Sequence, residues 1–280
     1  TDLGKYTNIT SLAIHANSKL KNTEAIGNLS NLKKLDIYVN TSMEFDLGIV
    51  NNLKQLEELD ISGSMENQSS LWNNSQLKKL TISYNGISSN ADINGIQNLQ
   101  NLEYLCISGN ICAIANLEQI SKLEKLNELV LDHNVYYYNT NVDNTKRETE
   151  IVDMLENLKC EKIIFNVGGS IRLKGIECGT TKVIKFEDLS PVYKAYLNKD
   201  SKLYCKDLTI SNNSYNTNNN IKVDNKNKTI TIIAGNEVKD ENASINLVLK
   251  RDYSSTYSTS VSLSWKDYKV ADSQKEINIP

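Results

Sequence analysis

Proline, histidine and tryptophan each occur only twice in these 280 residues, and phenylalanine three times. No run approaches the roughly 18 consecutive apolar residues that a membrane-spanning helix requires, so the sequence contains no helical span. Neither sign of charge dominates: 31 basic side chains face 34 acidic ones, for a net charge of −3. That balance removes the electrostatic case for nucleic acid or for an anionic lipid surface. The five cysteines are an odd number without C-x-x-C spacing, which argues against a disulfide-built fold. H-E-x-x-H, G-x-S-x-G and phosphate-cradling glycine loops are also missing. With its 14 tyrosines taken out of the 39% apolar share and its 12 glycines added, the share is about 38%, below the roughly 45–50% of an ordinary globular chain. A thin, elongated architecture fits that share better than a sphere.

What the chain has in excess is asparagine, 38 copies, and some of them recur at a fixed place. The string L-x-x-L-x-I-x-x-N appears as ITSLAIHAN from Ile9, LKKLDIYVN from Leu32, LEELDISGS from Leu56, LKKLTISYN from Leu77, LEYLCISGN from Leu102 and LNELVLDHN from Leu126. A worn seventh copy, CEKIIFNVG, starts at Cys160, and successive starts lie 23, 24, 21, 25, 24 and 34 residues apart. Five copies end in Asn: Asn17, Asn40, Asn85, Asn110 and Asn134. Alternation within each copy puts residues such as Leu35 and Ile37 inward and Asp36 outward, the mark of a short strand. One such strand cannot cover its apolar side alone, so neighbours must stack in parallel. An Asn at each strand exit has the donors and acceptor to satisfy backbone groups where the chain turns away, which makes that ladder a scaffold feature.

Over residues 8 to 168 this pattern resembles the leucine-rich repeat family. The N-L pieces Asn28-Leu29, Asn98-Leu99 and Asn157-Leu158 are most similar to the bacterial internalin-like subclass with 22-residue repeats. Between strands the apolar spacing changes to three, as at Ile93, Ile96, Leu99 and Leu102, which predicts 3₁₀ or helical turns on the back of the coil. The longest interval carries a loop with Tyr136, Tyr137 and Tyr138, then Ile151, Met154, Leu155 and Leu158 at amphipathic-helix spacing. Residues 1–8 offer only Leu3 and Tyr6 to shield the first repeat. Either the cap is minimal or the chain begins inside a longer protein, and the poor solubility of uncapped repeats favours the second.

From about Ser170 the leucines give way to alternating segments near Val183, Lys202, Ile221, Thr229, Ser244 and Ser260, which predict a β-sandwich. Pro191 suits the first turn of a short helix in LSPVYKAYL. The expected fold is therefore an α/β leucine-rich repeat solenoid over 1–169, with a parallel sheet and a 3₁₀ or helical back. An all-β sandwich over 170–280 follows it. Internalin-like proteins commonly carry an immunoglobulin-like module after the repeats, and the resemblance implies the same here.

Candidate chemistry is sparse. His15 and His133 fall on repeats one and six, about 24 Å apart at strand spacing, too far to share a metal ion. Glu57 and Glu58 point opposite ways, and Asp132 with Asp143 straddles a loop, so both pairs read as solvated charge. Cys160 occupies a leucine slot and reads as core, Cys106 is outward, Cys112 follows the Asn110 turn, and Cys178 and Cys205 are left either bridged or free. No cofactor or metal is expected. The N-x-S/T strings read as chance given so much asparagine.

Binding is expected on the bare inner face of the sheet, concave in such coils. Its candidates are Lys34, Asp36, Tyr38, Glu58, Asp60, Lys79, Tyr104, Glu128 and Asp132, with Tyr136, Tyr137 and Tyr138 on one rim. Tyr38 and Tyr104 serve either as anchors or merely as cross-strand packing. A small polar centre at Ser62, Thr81, Ser83 and Ser108 suits a protein or glycan better than a buried small molecule. The resemblance implies a non-enzymatic, extracellular adhesion module at the surface of a Gram-positive bacterium, with a partner of host origin and a part in virulence. The competing expectation is a spacer or cell-wall assembly element whose active part lies outside this chain.

Overall fold

The computed structural model describes residues 5–16, 23–39, 44–132, 145–165, 169–177, 179–206, 208–212, 220–233, 242–250 and 256–266. The chain divides into two compact units, Thr1–Val142 with Asp153–Val167, and Asp143–Val152 with Gly168–Pro280.

The strands of the first unit are β1 (Ser11–Ala16), β2 (Lys34–Val39), β3 (Glu44–Asp46), β4 (Glu58–Ser62), β5 (Ser64–Glu66), β6 (Lys79–Asp92), β7 (Tyr104–Ala115), β8 (Glu128–Asp132) and β9 (Lys162–Phe165). Seven of them form one parallel sheet in the order β1-β2-β4-β6-β7-β8-β9, while β3 and β5 pair separately. Every strand of the large sheet comes from one copy of the sequence string, and equivalent positions stand side by side. Leu12, Leu35, Leu59, Leu80, Leu105, Leu129 and Ile163 make one inward row. From β2 to β8 this row is 0–1% exposed. It becomes half-buried at the two edge strands, at Leu12 and Ile163.

Between these strands lie 3₁₀ turns at Thr23–Asn28, Leu47–Asn52, Gln68–Asn73, Ile96–Asn98 and Leu117–Lys122. The three-residue spacing places Ile93, Ile96, Leu99 and Leu102 on one side of such a turn, and all four are fully buried. Entry into several turns requires a left-handed residue, supplied by Asn67 (φ 53°), Gly95 (φ 107°) and Asn116 (φ 60°). Two matching clamps hold that side of the stack: Asn67 Nδ2 donates to Asp46 Oδ1, and Asn116 Nδ2 donates to Asp92 Oδ1, both at 2.7 Å. On the other side Asn31 Nδ2 donates to the Thr7 carbonyl, and Asn101 Nδ2 to the Ser75 carbonyl, at 2.9 Å each. The expected amphipathic helix is α1 (Thr145–Asn157), starting six residues before Ile151, with Leu155 and, just past its end, Leu158 buried.

In the second unit come β10 (Gly169–Glu177), β11 (Thr181–Lys185), α2 (Pro191–Leu197), β12 (Thr209–Asn212), β13 (Asn220–Asp224), β14 (Thr229–Ile233), β15 (Asn242–Lys250) and β16 (Thr256–Lys266). They form a four-stranded sheet, β10-β16-β15-β12, parallel only between β10 and β16, and a three-stranded antiparallel sheet, β11-β14-β13. Pro191 opens α2 as its position suggests. Tyr193 and Tyr196 pack edge to face at 6.0 Å and are buried with Phe186, Leu208, Ile230 and Ile232. One expected strand is shortened: of the segment KLYCKDLTI from Lys202 to Ile210, the first residues turn instead, and Thr209 and Ile210 at its end lie in β12. The Tyr204 amide donates to the Ser201 carbonyl and the Cys205 amide to the Tyr196 carbonyl. That turn buries Leu203 and Cys205 while exposing Tyr204, a period-two burial produced without a strand.

Gly95 tests this packing. A Cβ there would lie 2.7 Å from Cδ1 of Trp72, a buried ring, on a backbone that L-residues avoid. Gly95→Ala should lower stability by about 2–4 kcal/mol, the sum of a left-handed alanine and overpacking. Urea denaturation checks this, and adding Trp72→Leu should recover part of the loss.

Candidate functional site

The outward residues of the seven-stranded sheet form three rows. The first reads Ser11, Lys34, Glu58, Lys79, Tyr104, Glu128 and Lys162. It settles its own charges: Lys34 Nζ lies 3.3 Å from Glu58, Lys162 pairs with Glu128, and Lys79 Nζ sits 4.9 Å over the Tyr104 ring. One residue earlier, at the strand entries, Lys33, Glu57 and Lys78 form a second alternating set, with Lys78 2.8 Å from Glu57. The Lys78 ammonium holds the Glu57 carboxyl below its usual range. Glu57 and Glu58 therefore engage different rows, as their opposite directions require.

The middle row is different. It runs Ala13, Asp36, Asp60, Thr81, Cys106, Val130 and Ile164. Asp36 and Asp60 are register partners on adjacent strands. Desolvation, then the Asp36 charge, push the Asp60 carboxyl above its usual range, against the smaller pull of Lys79 and Lys34. His15 Nε2 lies 3.5 Å from Asp36, and its ring meets Tyr38 edge on. Farther along, burial pushes the Cys106 thiol up to about 11, although hydrogen bonds from Tyr104 and Ser108 oppose the rise. Burial also raises the Tyr104 hydroxyl, followed by the effect of Cys106.

The third row holds His15, Tyr38, Ser62, Ser83, Ser108 and Asp132. The Ser83 and Ser108 hydroxyls are 2.7 Å apart. Tyr38 is 50% exposed, which leaves its ring accessible, whereas Tyr104 is half-buried beneath Lys79.

All nine candidate residues on the sheet stand on this one exposed face. Tyr136, Tyr137 and Tyr138, with His133, Asp143 and Cys178, lie outside the described residues. Cys160 is buried, as a leucine slot demands, and Cys205 is a free, buried thiol. Val130 and Ile164 stand in the same outward row beside Cys106, apolar positions that a search for charge and tyrosine passes over. Among the described residues no group of three or more His, Cys, Asp or Glu could hold a metal ion. No helix among them is long and apolar enough to cross a membrane. No family model matches the chain.

Two measurements follow. Because the folded-state pKa of Asp60 is raised, the folded protein holds the extra proton between the two pKa values, and stability falls as pH rises through that window. Asp60→Asn should therefore stabilise the protein at pH 7, by about 0.2–1 kcal/mol on the scale of like-charge strand neighbours. That gain should vanish by pH 3, as thermal melts would register. Cys106, kept protonated, should react with iodoacetamide at pH 8 at least tenfold more slowly in the folded than in the urea-unfolded chain, read by peptide mass spectrometry.

Proposed function

We propose that the chain is a non-enzymatic recognition module whose first unit is an internalin-like leucine-rich repeat solenoid and whose second is an immunoglobulin-like β-sandwich. It works at the surface of a Gram-positive bacterium or in its secreted fraction. Its partner is a protein or glycan of host origin, and the partner seats on the exposed face of the seven-stranded sheet. The observation that carries this reading is the asymmetry of that sheet. Its inward rows are fully buried over the 3₁₀ turns from β2 to β8, while Lys34, Tyr38, Asp60, Lys79 and Lys162 on the other face remain exposed. Parallel sheets are ordinarily covered on both faces, so a bare one has room for an occupant.

A second reading, a structural spacer or cell-wall assembly element, draws on the first outward row, whose charges are already paired among themselves. Replacing Asp36 and Asp60 with lysine together with Tyr104→Ala separates the two. On the recognition reading, binding of the full chain to a panel of purified extracellular matrix proteins and immobilised glycans falls at least tenfold while the circular dichroism melt stays cooperative. Unchanged binding by the folded variant would favour the spacer.

A further inference from the structure

The middle outward row changes chemistry along its length. Asp36 and Asp60 stand side by side at one end, Thr81 separates the halves, and Cys106, Val130 and Ile164 stand side by side at the other. The nearest lysines are committed elsewhere, Lys34 to Glu58 and Lys79 to the Tyr104 ring. His15 Nε2 lies 3.5 Å from Asp36, and burial, then the Asp36 charge, raises the Asp60 carboxyl above its ordinary range against the smaller pull of those two lysines. At the opposite end three half-buried apolar side chains occupy consecutive strands. That apolar strip is about 10 Å long, being two strand spacings. From Asp60 to Val130 is three spacings and to Ile164 four, about 14–19 Å.

A ligand that fits both ends must carry a cation and an apolar group that distance apart. A neutral glycan supplies no cation, and a nucleic acid brings charge of the wrong sign. In an extended peptide at about 3.3 Å per residue, 14–19 Å is four to six residues. We propose that this row binds an extended protein segment running across the strands, with a lysine or arginine against Asp36 and Asp60 and an aliphatic or aromatic side chain against Cys106, Val130 and Ile164. The inference rests on the reading of this face as the binding surface and names the partner's chemistry.

The test uses a phage-displayed library of random twelve-residue peptides selected against the full chain. Affinities of the enriched peptides are then measured by fluorescence anisotropy. Asp36→Asn with Asp60→Asn removes the charge without changing shape, and Val130→Thr with Ile164→Thr removes apolar surface while keeping β-branched residues. Thermal melts establish that both variants fold. Enriched peptides should carry a basic residue four to six positions from an aliphatic or aromatic one, and each double variant should weaken their binding at least tenfold. Added salt should weaken binding to the native chain more than to the asparagine variant. Enriched peptides without a basic residue, equal affinity for the native chain and both variants, or a library yielding nothing above background would each overturn the proposal. Peptides that ignore both variants but lose binding on Tyr38→Ala would overturn it and leave the face reading standing. Peptides indifferent to every substitution on the face would overturn both.

Discussion

A backbone contact repeated at each strand entry governs the first unit. The Thr10 carbonyl accepts from the amides of both Lys33 and Lys34, and the Lys33 carbonyl accepts from Glu57 and Glu58. The same contact recurs at Glu57, Lys78, Glu103 and Asn127. Each doubled contact fixes where one strand begins relative to the last. Because side chains alternate with period two, a slip of one residue would turn every leucine outward. The entry carbonyls and the leucine rows thus enforce the same register. Insertions between strands, such as the long interval before β9, leave that register intact because they are absorbed in the connections.

Such a register has an electrostatic consequence. Whatever occupies an outward position in one repeat stands about 4.8 Å from its equivalents, so a faithful repeat of one charged residue would stack like charges. Lys34, Glu58 and Lys79 avoid this by alternating sign, as do Lys33, Glu57 and Lys78. Exposed pairs of this kind contribute little to stability, about 0–1 kcal/mol each. Their main effect is to prevent repulsion that the fold would otherwise impose. Asp36 beside Asp60 is the exception: burial first and the Asp36 charge second raise the Asp60 carboxyl above its ordinary range.

The first unit was legible because its determinants are local and repeated. Period two separates Leu35 from Asp36, and period three marks Ile93 through Leu102, within windows shorter than one repeat. What escaped the sequence acts over longer spans or arises from more than one cause. The Asn67–Asp46 and Asn116–Asp92 clamps join residues 21 and 24 apart, beyond any local pattern. The β3–β5 pair, three residues a strand, is too short to carry a distinctive alternation. Leu203, Tyr204 and Cys205 have strand-like alternation, but a hydrogen-bonded turn produces the same in-out-in burial. On the sheet face, charge and tyrosine identified one end of the middle row. They missed the other, because Val130 and Ile164 are also good strand formers and their presence in a strand needs no further cause.

The apolar end is informative for that reason only in its context. A β-branched residue facing water on a single strand is ordinary. Three apolar side chains abreast on consecutive strands leave a strip that water must cover, and the fixed register prevents any one of them from turning inward without expelling a leucine. Interior rows and outward rows cannot exchange, so neither the carboxylate pair nor the apolar strip can be relieved by rearrangement within the sheet. An occupant with the complementary order of cation and apolar group would relieve both ends of the row at once.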